Sequence, residues 1–162
     1  MTTTQTTPTD LIPALDSLSI SCNSADALMM AIVALLHEKL TRYNWVGFYL
    51  LEKDGDCDVL VLGCFKGAMT PHTRIPLNQG ICGAAASTGK TVVVDDVNSD
   101  PRYLACSLET KSEIVVPVSV YGKVVGELDI DSHVAAAFGP GDRALCEHAA
   151  AVLGRFLERT SG

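Results

Sequence analysis

Apolar residues recur along the chain with two alternating periods. Met29, Val33, Leu36 and Leu40 fall four, three and four positions apart, which lays one apolar stripe along a helix. Asn23 or Ser24, both favoured N-cap types, opens that helix, and the pattern carries it to near Tyr43. The period then changes. Residues 44–51, NWVGFYLL, are rich in aromatic and branched side chains and predict a strand. A turn with an Asp54-Gly55 pair follows, and residues 58–65 return as the second arm of a hairpin. Residues 66–79 hold turn formers without a period and predict a long loop. Residues 80–88 predict a short Ala-rich helix closed by Gly89, and residues 91–94 a short strand. A second irregular stretch covers residues 95–110. Residues 113–121 and 124–131 form another hairpin about Gly122-Lys123, and Pro117 inside it calls for a sheet edge or a bulge. The last helix opens at Gly139-Pro140 with Leu145, Ala149, Val152 and Phe156 on its apolar face. Residues 1–20 begin polar and Thr-rich and carry Pro8 and Pro13; they predict a disordered or irregular segment, with residues 21–162 as one domain.

This order predicts an α+β fold. Hairpins make the central sheet mainly antiparallel, and the terminal helices cover one face. The other face is left for a pocket beneath the two long loops. Strand alternation then assigns side chains to faces. Val46, Phe48 and Leu50 face the helices, which leaves Trp45 and Tyr49 on the loop side. On the last strand Leu128 and Ile130 share one face, and Glu127, Asp129 and Asp131 share the other. Asp is depleted in strands, so three acids in alternation point to a site, against the plainer reading of a solvated sheet face. Glu113, at the start of the neighbouring strand, can join them. Crowded carboxylates raise one another's pKa, so one can stay protonated as an acid while the others bind a cation such as an amino acid's ammonium.

Composition narrows the chemistry. The formal charge of −7 and the pI of about 4.9 give no electrostatic footprint for nucleic acid or an anionic membrane. No basic-then-apolar leader pattern stands at the N-terminus and no apolar run is long enough to span a bilayer, so the expected location is cytoplasmic. No pair of the six cysteines forms CxxC, and the four histidines lack metal spacing. Cys22, Cys57, Cys64 and Cys146 are expected to be small buried apolar residues. Cys106 differs because it lies in a loop close in sequence to Arg102, and Cys82 because it starts a helix, a position that favours a thiolate.

Six segments in order carry a more specific signal. They are Asn44-Trp45-Val46-Gly47-Phe48-Tyr49, Arg74-Ile75-Pro76, Gly80-Ile81-Cys82-Gly83, Leu104-Ala105-Cys106, Ser112-Glu113-Ile114-Val115 and Leu128-Asp129-Ile130-Asp131-Ser132. Together they resemble the free methionine-(R)-sulfoxide reductases, a branch of the GAF domain family. The resemblance implies a GAF fold and a reaction in which Cys106 attacks the sulfoxide sulfur and becomes a sulfenic acid. It implies that Cys82 joins disulfide chemistry, and that Glu113, Asp129 and Asp131 hold the substrate ammonium and polarise the sulfoxide oxygen. Trp45 and Tyr49 match the aromatics around the substrate methyl. A thioredoxin-type reductant and a homodimer are implied, and no metal or organic cofactor. Members often carry a third, resolving cysteine where His72 stands here. Cys82 or an external thiol is then left to resolve the sulfenic acid. The competing reading is a non-catalytic GAF module that binds a small ligand.

Overall fold

A computed structural model describes residues 5–104 and 108–160. After a 3-10 turn at Pro8–Leu11 come α1 (Ile12–Ser21), α2 (Ala25–Lys39), β1 (Trp45–Asp54), β2 (Cys57–Lys66), β3 (Arg74–Pro76), α3 (Gly80–Thr88) and β4 (Val92–Val94). A second 3-10 turn at Val97–Ser99 precedes β5 (Ser112–Val120), β6 (Lys123–Ser132) and α4 (Pro140–Thr160). The six strands form one sheet in the order β3-β2-β1-β6-β5-β4, and every neighbouring pair is antiparallel.

The alternation in β1 and β6 builds the two sides of this sheet. Val46, Phe48, Leu128 and Ile130 enter a large apolar core with α1, α2 and α4. Trp45 and Tyr49 point the other way, into a second apolar cluster with Ile81, Cys82 and Ala85 of α3. Helices therefore lie on both faces: three make the core, and the short α3 covers the side that holds the site.

Residues 8–20, part of the segment expected to be disordered or irregular, are helical. Leu11 and Leu15, four positions apart, are buried in the helix-side core, with Ile12 and Leu18 packed around them. Pro13 sits in the first turn of α1, where a missing N–H costs nothing, so the prolines mark a helix start. Asp16 fixes the helix to α4 through His148 Nε2 at 2.7 Å.

Other boundaries shift for local reasons. Ser24 caps α2 by accepting from the Ala27 N–H at 3.1 Å. The helix stops at Lys39, because Leu40 is already extended. The 66–79 stretch contributes β3, which pairs with β2 through Leu60↔Ile75. Pro117 lies past the last residue of β5 that pairs with β4, and a register shift follows at Val118/Ser119, so it sits at a local edge beside a bulge. No helix among the described residues is long and apolar enough to cross a membrane.

Candidate active site

Register brings the predicted residues together. Across the β1–β6 ladder Trp45 faces Asp131, Gly47 faces Asp129 and Tyr49 faces Glu127. Across the β5–β6 ladder Glu113 faces Asp131. Three adjacent central strands thus supply the aromatics and the acids to one patch of sheet. Glycine is required in the middle of it: a Cβ on Gly47 would stand 2.5 Å from the Trp45 ring, so the indole takes the space a side chain there would fill.

Over this patch lies a pocket of about 370 Å³, open mouth included. Trp45, Tyr49, Cys82, Glu113, Asp129 and Asp131 all line it. So do Thr70 and His72 from the 66–79 loop, Ile75, Gly80 and Ile81, and Leu104. Gly80 opens α3 at φ 71°, with Leu104 against the spot where a Cβ would stand. The polar tips of the aromatics hold the loop over the pocket. Trp45 Nε1 donates to the Ala68 carbonyl at 3.1 Å, and Tyr49 Oη donates to the His72 carbonyl at 2.7 Å. The sequence offered no signal for these two bonds, because their acceptors are backbone atoms of an aperiodic loop.

The acidic face is buried, so the solvated-face reading fails. Glu113, Glu127, Asp129 and Asp131 are all buried, Glu127 completely at 0%. Burial pushes the Glu113 carboxyl well up, and the charges of Asp129 and Asp131 push it further. Asp129 is also raised by burial, against the opposing pull of hydrogen bonds from Glu113 and Cys82. Glu113 and Asp129 are thus both pushed up and hydrogen-bonded to each other, which favours a proton held between them. Glu127 is driven well above the ordinary range by burial. Among the described residues neither of its oxygens has a well-formed hydrogen bond, only the approach of the Cys82 thiol, and Asp129 Oδ1 has none either.

Cys82 departs from expectation. It is the third residue of α3, where the helix N-terminus was expected to favour a thiolate. Its thiol is instead pushed well up, first by burial and then by Asp129, Glu127 and Glu113. Desolvation and three carboxylates outweigh one helix end. The thiol donates to Asp129 Oδ2 at 3.5 Å.

Cys106 lies outside the described residues. On its flanks, Leu104 lines the pocket and Glu109 a neighbouring one that also touches Trp45 and Asp131. Arg102 is engaged by Asp100 through bonds of 3.0 and 2.7 Å. Of the cysteines expected to be buried, Cys146 is, Cys22 and Cys64 are partly covered, and Cys57 is exposed at the start of β2.

This arrangement suits a guest with an ammonium at one end and an apolar group at the other: acids on the floor for the first, and aromatic rings for the second. The chain matches the family model of the GAF domain over residues 24–157 and belongs to that family. Within the family its relatives agree with the resemblance read from the sequence. It is 40% identical over 127 residues to the free methionine-R-sulfoxide reductase of Escherichia coli (strain K12), spanning 78% of this chain and 74% of that one. Protein YtsP of Bacillus subtilis (strain 168) is 47% identical over 106 residues, spanning 65% of this chain and 63% of that one. Among solved structures, the free methionine-R-sulfoxide reductase from Neisseria meningitidis in complex with its substrate superposes with a TM-score of 0.86 at 36% identity, over 96% of this chain and 92% of that one.

Proposed function

We propose that the protein reduces free methionine-(R)-sulfoxide to methionine, with Cys106 as the attacking thiol. The observation that carries this reading is the buried acid group Glu113, Asp129 and Asp131 set beside Trp45 and Tyr49 in one pocket. The relatives that share this fold bear the name of that activity.

Asp129 and Asp131 bind the substrate ammonium, which also relieves their mutual repulsion. Protonated Glu113 donates to the sulfoxide oxygen and makes the sulfur electrophilic. Trp45 and Tyr49 pack on the S-methyl end. In the first half-reaction the Cys106 sulfur takes the oxygen, the S–O bond of the substrate is replaced by an S–O bond to Cys106, and methionine leaves. Sulfur of the substrate is reduced by two electrons, and Cys106 is oxidised to a sulfenic acid. A second thiol, from Cys82 or from outside, then attacks the sulfenic sulfur and releases water as a disulfide forms. A thioredoxin-type dithiol restores both thiols by exchange. A reducing compartment such as the cytoplasm supplies it, and a homodimer is the expected assembly.

The test is methionine formation from the free R-sulfoxide with dithiothreitol as donor. Turnover that is lost in Cys106→Ser supports the reading. Full turnover by that variant, or none by the wild type, overturns it. Binding of the sulfoxide without any reduction would mark a ligand-binding module instead.

A further inference from the structure

The floor of the pocket holds more donor atoms than an ammonium needs. One atom each of Cys82, Glu113 and Asp129 lies within 4.8 Å of the others, and all three residues are buried. An ammonium is satisfied by carboxylate oxygens and gains little from a sulfur. A borderline-soft cation gains a great deal, because thiolate and carboxylate are both among its ordinary ligands.

Two observations beyond the cluster point to a cation. The first is Glu127, which faces the Cys82 thiol from the same strand face as Asp129. It is completely buried, and among the described residues neither oxygen has a well-formed hydrogen bond, only the approach of the Cys82 thiol. A buried carboxylate left unpaired costs free energy that a bound cation would return. The second is the spacing of sulfur and oxygen. Tetrahedral zinc with ordinary Zn–S and Zn–O bonds separates those two ligand atoms by about 3.5 Å. Cys82 Sγ and Asp129 Oδ2 stand 3.5 Å apart. The other ligand atoms lie within 4.8 Å and need to close by at most about 1.5 Å to reach the same geometry.

We propose that this pocket floor is a zinc site, with Cys82, Glu113 and Asp129 as ligands and Glu127 as the fourth ligand or the carboxylate that orients a bound water. Binding displaces the Cys82 thiol proton and the carboxyl protons held in the cluster, and no electrons move. The ion occupies the space assigned above to the substrate ammonium, so zinc and substrate exclude each other; this last clause rests on the proposed function.

The experiment titrates the reduced, metal-free, full-length protein with zinc chloride against a chromophoric chelator. One zinc per chain is expected. Cys82→Ser weakens it at least about tenfold, Glu127→Gln by about tenfold, and Cys57→Ser leaves it unchanged. Cobalt(II) in the wild type should show a thiolate charge-transfer band, a readout that stands even if a variant does not fold. Methionine sulfoxide should raise the apparent zinc Kd. Substoichiometric zinc, an unchanged affinity in Cys82→Ser, or cobalt without a thiolate band would overturn the site. Zinc that the sulfoxide does not displace would overturn the exclusion alone. None of these readings uses turnover, so the reductase assay and the zinc titration fail separately.

Discussion

Cys82 and Asp129 meet across the gap between α3 and β6, the thiol donating to Oδ2 at 3.5 Å, with no exposed surface of consequence on either. Burial and the Asp129 charge push the Cys82 thiol up, while its hydrogen bond pulls Asp129 down, so the proton stays on sulfur at neutral pH. Thiol-specific alkylation checks this. Cys57, exposed on β2, should react first in the native protein. Cys82 and Cys146, the latter pushed up to about 12 mainly by burial, should react only on unfolding. Mass mapping of a time course that found Cys82 among the early adducts would contradict the pairing.

Glu127 is buried with no well-formed hydrogen bond among the described residues, so a hydrocarbon of its size suits the position better. Replacing it by Leu, of similar size, should stabilise the protein by about 1–3 kcal/mol at pH 7, the usual cost of a buried unpartnered polar group. The sign with pH follows from its raised value. Below the ordinary Glu range the carboxyl is protonated in both folded and unfolded chains, and the variant's advantage is smallest. As pH rises from there toward the higher folded value, only the unfolded chain ionises, so wild-type stability falls and the advantage grows. Denaturant melts from pH 4 to pH 8 measure it; a constant difference would show that Glu127 is not raised.

Gly47→Ala should damage the site and leave the strand order intact. A Cβ there meets the Trp45 ring at 2.5 Å and the Phe65 Cβ at 2.9 Å, so the indole must move. Overpacking of this kind costs about 1–3 kcal/mol. Trp45 is the only tryptophan in the chain, so its fluorescence reports the displacement directly. Emission and substrate affinity unchanged from wild type would refute it.

Tyr49→Phe removes the hydroxyl that holds the His72 carbonyl at 2.7 Å and changes no charge. The 66–79 loop loses a tether worth about 1 kcal/mol, so KM for methionine sulfoxide should rise several-fold with kcat less affected. Faster proteolytic nicking near His72 should accompany it. A drop in kcat with KM constant would instead place the hydroxyl at the reacting atoms.

Asp129→Asn should weaken methionine sulfoxide far more than a substrate whose amine is acylated. Losing one partner of a charge-assisted bond costs about 1.5–3 kcal/mol, roughly ten- to a hundredfold in affinity. Calorimetry with the two ligands gives the comparison. Equal losses for both would remove Asp129 from the ammonium.

Much of this was legible in residue order because it depends on period. The alternation in 124–131 separates Leu128 and Ile130 from Asp129 and Asp131, and no tertiary contact can reverse that without breaking the strand. Gly89 closes α3 in the left-handed region at φ 68°, as its type demands. Other features depend on what is nearby in space. Leu11 and Leu15 look like two apolar residues among prolines and threonines until α4 supplies a surface for them. The low-pKa expectation for Cys82 counted a helix end and missed three carboxylates brought in from β5 and β6. The roof bonds of Trp45 and Tyr49 end on backbone carbonyls, which every residue carries, and so leave no mark in the sequence.

The opposed faces of β6 have a consequence for folding as well as for chemistry. A slip of one residue against β1 or β5 would drive Glu127, Asp129 and Asp131 into the hydrocarbon between sheet and helices and turn Leu128 and Ile130 toward the pocket. Misregistered sheets are therefore penalised by the same side chains that would bind the substrate. The acids act as a spelling check on strand pairing, and a chain that passes it has assembled its pocket floor in the same step.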